Sequence, residues 1–190
     1  MSLRWSFTAV LALGTLACSD PVPPPAQAGL RLSLSNGSGI SGKSCPVTAI
    51  TKTVPERDPN NIMEGPSATD PGVRVIDGED NSKISCSVKG NGPFSVSASI
   101  QYASTSFTLL GGSVMAGGNG TANISVYTPE ITTTISSPST TPCSVRVPAG
   151  TSFQVKPGSI WAEFSCMSLE TTPSTACSAN GILVFENCAE

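Results

Sequence analysis

The side chains that could carry chemistry in this chain are limited first by an absence, because its 190 residues include no histidine. Without histidine the chain cannot form a Ser-His-Asp or Cys-His catalytic centre, or any metal centre with imidazole ligands. Serine–lysine pairs and carboxylate pairs are the remaining routes to hydrolysis. The adjacent pairs Lys43-Ser44 and Ser82-Lys83 lack the Ser-x-x-Lys spacing of serine–lysine hydrolases, so we interpret them as solvated loop residues.

Glu163 and Glu186 are the carboxylates best placed for acid–base chemistry, since they fall on neighbouring candidate strands. A glycoside hydrolase would need their carboxyl groups about 5 Å apart, or about 6.5–9.5 Å apart, across a cleft. The alternative is that both are solvent-facing strand residues, as charged side chains usually are. With no catalytic motif in the sequence, we predict that the protein is not an enzyme, and keep a carboxylate-pair hydrolase as the alternative.

A cluster of oxygen ligands lies in the acidic segment "DGEDN". Asp77, Glu79, Asp80 and Asn81 offer the hard oxygen donors that Ca²⁺ prefers. Their spacing differs from that of an EF-hand loop, and Asp, Gly and Asn are also the residues that tight turns select. The segment therefore indicates either a calcium site or an ordinary hairpin turn, and no other cofactor is indicated.

Three aromatic residues could form a ligand platform, because carbohydrate-binding sandwiches stack sugars on exposed rings. They are Trp161, Tyr102 and Tyr127. In "IWAEFSC" Trp161 has the opposite parity to Ile160 and Phe164, which would turn its side chain outward. The alternative is that the indole packs in the core or between two sheets.

The charge pattern argues against nucleic acid as a partner. Only 12% of residues are charged, the formal net charge is −3, and no cluster of lysine and arginine occurs. Phosphate binding needs a concentrated cationic surface, so neither nucleic acid nor adsorption to anionic lipid headgroups is expected.

Short apolar–polar alternations separated by Gly, Pro and Asn predict about ten strands, with no helix, arranged as an antiparallel β-sandwich. The clearest hairpin surrounds a predicted three-residue loop at residues 90–92. That loop would pair Val88 with Phe94 and Cys86 with Val96, and would place both apolar sets on one face.

The cysteine count points to a disulfide-stapled fold. Seven cysteines leave one unpaired, and setting Cys18 aside leaves six that suit three disulfides in an oxidising compartment. No two of the six are closer than 11 positions, which excludes a zinc knuckle. A hairpin of 159–168 with 181–187 would put Cys188 too far from Cys166 to bridge it. The predicted pairs are then Cys166–Cys177, Cys143–Cys188 and Cys45–Cys86.

The N-terminal segment has the form of a secretory signal. Arg4 precedes an apolar stretch of 13 residues, which is too short to span a membrane as a helix. The following Thr15-Leu16-Ala17-Cys18 resembles the lipobox of bacterial lipoproteins, although that family usually has Leu where Thr15 stands. The resemblance implies cleavage before Cys18, acylation of Cys18 with fatty acids such as palmitate, and a membrane anchor.

A second cleavage site competes with the lipobox. Ala26-Gln27-Ala28 is a small-x-small site for ordinary signal peptidase, 11 residues beyond the apolar stretch, and a cut after Ala28 would give a secreted soluble protein. Under the lipobox reading the chain divides into a signal peptide (1–17), a lipidated cysteine with a Pro-rich tether (18–28) and one domain (29–190). In the lipoprotein class Asp directly after the cysteine signals inner-membrane retention, so Ser19 favours the outer membrane or cell surface.

Together these features predict a non-enzymatic interaction or structural module of the cell envelope, with a protein or glycan partner. The alternative function is glycan binding through Trp161 and the two tyrosines, with calcium at 77–81 as an aid.

Overall fold

A computed structural model describes residues 22–36, 43–55, 65–171 and 175–190. These ranges form twelve strands, joined by antiparallel pairing into one hydrogen-bonded sheet. The predicted all-β fold is therefore confirmed. Within the described ranges no helix is long and apolar enough to cross a membrane. The strands are β1 (Gln27–Asn36), β2 (Ala49–Val54), β3 (Val75–Ile76), β4 (Lys83–Lys89), β5 (Phe94–Tyr102), β6 (Thr105–Val114), β7 (Asn119–Tyr127), β8 (Ile135–Ser136), β9 (Cys143–Arg146), β10 (Gln154–Lys156), β11 (Ser159–Thr171) and β12 (Thr175–Glu186).

The sheet has the strand order β2-β1-β12-β11-β8-β7-β6-β5-β4, and it folds over so that its two halves face each other. Phe107 on β6 and Phe164 on β11 meet between the halves, with ring centroids 5.3 Å apart. Both rings are buried, so each half covers the apolar face of the other.

The core follows from simple alternation along the strands. On β1 the side chains of Leu30, Leu32 and Leu34 are almost fully buried, while Arg31 is exposed and Ser33 is half-buried. Burying each leucine stabilises the fold by about 1.5–3 kcal/mol before packing defects and entropy are counted. Strand β1 begins at Gln27, so two residues assigned by sequence to the tether belong to the sheet.

The β4–β5 hairpin has the predicted faces but a different register. Val88 pairs with Val96, and Cys86 pairs with Ala98, two positions beyond the predicted partners. Pro93 has no N–H for the ladder, so the connection is longer than the predicted three residues. A shift of two residues preserves the parity of every side chain, and the apolar sets therefore still share one face.

All six cysteines of the domain form disulfides, but all three predicted pairs are wrong. Cys166–Cys177, Cys143–Cys188 and Cys45–Cys86 do not form. The bonds are Cys45–Cys177, Cys86–Cys188 and Cys143–Cys166.

The pairing errors come from strand lengths and strand order. Strands β11 and β12 extend beyond the predicted hairpin, so Cys166 lies opposite Ala179, and Cys177 lies opposite Leu169. Strand β9 pairs with β11 at Ser144 and Ser165, which places Cys143 beside Cys166.

The other two disulfides join segments distant in sequence. The Ala176 N–H donates to the Ser44 carbonyl at 3.2 Å, which brings Cys45 to Cys177. The Ala189 N–H donates to the Cys86 carbonyl at 3.0 Å, which brings Cys188 to β4.

Two ion pairs tie segments of the sheet together. Lys52 on β2 lies 2.6 Å from Glu130, beyond β7, and Lys43 pairs with Glu170 on β11. The hydrogen bond from Lys52 is the main reason why the pKa of Glu130 lies below its ordinary value. The pKa of Glu170 is lowered in the same way, first by Lys43 and then by Ser168.

Candidate interaction surface

The two predicted carboxylates do not form a catalytic pair. Glu163 pairs across the sheet with Ile182, and Glu186 lies four residues further along β12, which corresponds to about 13 Å. Each carboxylate instead meets an arginine. Glu163 Oε1 is 3.1 Å from Arg146 Nη1, and Glu186 Oε2 is 2.5 Å from Arg74 Nε. The spacing that a two-carboxylate glycosidase needs is therefore not met by these residues.

The serine–lysine pairs have structural roles. Ser82 is 2% exposed and its hydroxyl donates to the Ile76 carbonyl, so the interpretation of Ser82 as a solvated loop residue is wrong. The ammonium group of Lys43 forms an ion pair with Glu170. This pairing does not suit Lys43 to act as a base for its neighbour Ser44.

The acidic segment at 77–81 folds as a turn between β3 and β4. The carboxylate of Asp77 accepts a hydrogen bond from the Ile84 N–H at 2.7 Å, and the Gly78 N–H donates to the Ser82 carbonyl at 3.2 Å. Asp80 and Asn81 adopt left-handed backbone angles, with φ of 49° and 59°, which these residue types tolerate in turns. The described part of the chain contains no group of three His, Cys, Asp or Glu side chains that could hold a metal, so Asp77, Glu79 and Asp80 are not gathered into a calcium site.

Trp161 has the outward parity predicted from the sequence, yet it is only 8% exposed. Residues 65–74, here called the covering segment, lie over this end of the sheet. Pro71 lines a small cavity with Trp161 and Val184, and the Phe153 ring meets the indole edge-on at 5.6 Å between centroids. The indole face is therefore not available as a sugar platform.

The tyrosines are also far from Trp161. Strands β7 and β11 both pair with β8 at Ser136, which puts Tyr127 near the level of Glu170. Trp161 lies nine residues away along β11, or about 30 Å. Tyr102 ends β5 beside the row that contains Tyr127. The predicted platform of three aromatic rings is not assembled.

The structure instead brings together a mostly polar row of residues from five adjacent strands. Arg31, Ile182, Glu163, Arg146 and Asn119 are successive cross-strand partners on β1, β12, β11, β9 and β7. The next row, one pleat away, contributes hydroxyl and amide groups. We call these two rows the polar face; its second row is Ser33, Asn180, Ser165, Ser144 and Thr121.

A shallow groove of about 400 Å³ runs across the polar face. On one side Arg146 is engaged, because it pairs with Glu163 and its Nε donates to Asn119 Oδ1 at 3.2 Å. On the other side Arg31 is exposed, and the ion pairs found within the described ranges do not include it. The groove thus offers a guanidinium beside hydroxyl and amide groups, a set that suits carboxylate or hydroxyl groups of a partner.

Comparison with known proteins adds no assignment to this surface. No protein-family model, curated protein or solved structure matches the chain. Sequence reasoning had identified Glu163 but not its neighbours, because only the strand order places Arg31 and Arg146 on either side of it.

Proposed function

We propose that the protein is an exported lipoprotein of the bacterial cell envelope, anchored through acylated Cys18, whose domain acts as a non-enzymatic interaction module. The outer membrane or the cell surface is its proposed location. The lipobox and Cys18 lie outside the described residues. The start of the domain and its cysteines support the proposal.

The observation that carries the proposal is the use of residues 25–28 by the fold. Ala28 is fully buried, and both residue pairs that join β1 to β3 involve Gln27 or Ala28. The Asn187 side chain also donates to the Pro25 carbonyl at 3.0 Å. A cut after Ala28 would remove these contacts, whereas a cut before Cys18 leaves them intact.

The cysteines support export. Three disulfides consume all six cysteines of the domain and favour an oxidising compartment. Cys18 is the remaining cysteine of the seven, so it is free for acylation.

Intact-mass analysis of the protein purified from the cells that make it tests the anchor. The expected species begins at Cys18, carries acyl chains and has lost six hydrogens to three disulfides. Replacing Cys18 by Ala should abolish the acyl mass and release the protein from the membrane fraction. A native chain that begins at Gly29 without lipid would refute the proposal.

The polar face supports the role in binding, because Arg31 is exposed there beside hydroxyl and amide groups. We expect Arg31→Glu to weaken binding of the purified domain to isolated cell envelopes about tenfold or more, since one charge-assisted contact is lost and a repulsive one is created. Lys89→Glu makes the same charge change at an exposed site on β4 and should leave binding unchanged. Equal loss in both variants, or no loss in either, would contradict a specific role for the polar face.

A further inference from the structure

The centre of the groove on the polar face is a block of six side chains, two from each of the neighbouring strands β1, β12 and β11. We call it the central block; its first row is Arg31, Ile182 and Glu163, and its second row is Ser33, Asn180 and Ser165. Neighbouring strands lie about 4.8 Å apart and one pleat repeats every 6.8 Å or so, which makes the block about 10 Å by 7 Å. That area suits one sugar ring with its substituents.

A ligand can reach the central block from solvent. Arg31, Asn180 and Ser165 are exposed, and the other three side chains are half-buried. The groove above them has a volume of about 400 Å³, within the range of about 300–1,000 Å³ that small-molecule sites occupy.

The charges of the groove favour an anionic group at the β1 side. The charged residues that line it are Arg31, Arg146 and Glu163, which leave one net positive charge, although the whole chain has a net charge of −3. Arg146 and Glu163 neutralise each other, since their charged atoms lie 3.1 Å apart. Arg31 lies two strands away from Glu163, and its guanidinium can hold a carboxylate through two parallel hydrogen bonds.

The rest of the central block suits hydroxyl groups. Asn180 and Ser165 can each donate and accept hydrogen bonds. A carboxylate has about four acceptor sites, so Glu163 can accept from a ligand hydroxyl while its Oε1 is paired with Arg146. The Ser33 hydroxyl is oriented by a hydrogen bond with Thr51 Oγ1 at 3.1 Å. The block therefore matches a molecule with one carboxylate and several hydroxyl groups.

The backbone beneath the central block favours a saccharide over an extended peptide. At these residues β1 pairs with β2 and β12, β12 pairs with β1 and β11, and β11 pairs with β12 and β9. A peptide that adds a strand to a sheet needs an unpaired edge for its main-chain hydrogen bonds. Only side chains are offered here, and the hydroxyl groups around a sugar ring can meet them without any backbone partner.

We propose that the central block binds an acidic saccharide through one uronic acid residue. The carboxylate of that residue pairs with Arg31, and its ring hydroxyls meet Asn180, Ser165 and Glu163. The C–H groups of the ring lie on the side chain of Ile182. This assignment rests on the proposed function of the polar face as the interaction surface, and it names the chemistry of the partner.

Calorimetric titration of the oxidised domain with tetragalacturonate and with tetraglucuronate tests the ligand class. We expect at least one of these acids to bind saturably, and its methyl ester, which keeps the sugar rings but has no charge, to bind about tenfold or more weakly. Added salt should weaken binding of the acid and leave the ester unaffected. If neither acid binds, or if acid and ester bind equally, the proposal fails. Tighter binding of a tetraglutamate peptide or of sulfate at the same ionic strength also overturns it.

Two variants localise the binding to the central block. Arg31→Gln should weaken binding of the acid about tenfold or more and remove its advantage over the ester, while Asn180→Ala should weaken binding of the acid about tenfold. Lys89→Gln removes a positive charge at an exposed position on β4 and should leave binding unchanged. Thermal unfolding identifies any variant that is not folded. Wild-type affinity for the acid in a folded Arg31→Gln or Asn180→Ala protein would overturn the site.

The ligand class and the interaction role of the polar face fail separately. If neither acid binds while Arg31→Glu still weakens binding to isolated envelopes, the uronic acid assignment is wrong and the interaction role stands. If an acid binds through Arg31 while Arg31→Glu leaves binding to envelopes unchanged, the interaction role is wrong and the saccharide site stands.

Discussion

Replacing Cys86 and Cys188 by serine should lower the free energy of unfolding by about 4–5 kcal/mol. This disulfide closes a loop of 102 residues between β4 and the segment after β12. In the chain-entropy account, a loop of about 100 residues constrains the unfolded state by roughly 4.7 kcal/mol. The loss is comparable with the whole stability of many domains, about 5–15 kcal/mol. The double variant should therefore be close to unfolding at 37 °C.

The matched control is the Cys143→Ser, Cys166→Ser variant. Its disulfide spans only 23 residues and joins β9 to β11, two strands that already pair. The same account gives about 3.4 kcal/mol for this loop. Urea denaturation of both oxidised variants measures the difference. An equal loss, or a larger one for the short loop, would contradict an effect that depends on loop length.

A chain that begins at Gly29 should be about 3 kcal/mol less stable than one that begins at Val22. The shorter chain loses the buried methyl group of Ala28, the pairing of β1 with β3, and the hydrogen bond from the Asp77 N–H to the Ala26 carbonyl at 2.9 Å. Each net hydrogen bond contributes about 0.5–1.5 kcal/mol, and burying a methyl group adds about 0.8 kcal/mol. Thermal and urea unfolding of the two oxidised chains measure the loss.

A chain that begins at Pro25 lacks residues 22–24 but keeps residues 25–28, so it tests the two parts of the N-terminal segment separately. It retains every contact just described and should match the longer chain within about 0.5 kcal/mol, as surface changes usually do. If the chain from Gly29 were as stable as the other two, residues 25–28 would be dispensable. Cleavage after Ala28 would then be compatible with the fold.

Local pattern predicted the strands well because a strand's own alternation determines which face is buried. Leu30, Leu32 and Leu34 alternate with Arg31, Ser33 and Ser35 in the sequence, and the three leucines are buried. Disulfide pairing depends on which strands become neighbours, and that information is spread over the whole chain. Cys45 and Cys177 are 132 residues apart in sequence. They meet only because the segment that contains Ser44 and Cys45 packs against the start of β12.

For the site residues, too, the local pattern predicts which way a side chain points but does not predict its partners. The parity of Trp161 is readable from "IWAEFSC", but its burial depends on Pro71 and Phe153, which come from other parts of the chain. Glu163 was identified as a candidate, yet its partner is Arg146 rather than Glu186. Ionic partners on different strands are fixed by register across the sheet, which single-strand patterns do not contain.

The position of β1 determines how the domain would respond to mechanical force. If the chain is tethered at its N-terminus, tension enters at Gln27 and acts along β1, which pairs with β12 over ten residues and with β2 over six. The hydrogen bonds of those ladders run across the strand, so they must be sheared together rather than opened one at a time. Beyond β1, the Cys45–Cys177 bond passes the tension covalently to β12. A domain suspended in this way should resist extension, because its first strand is paired on both sides.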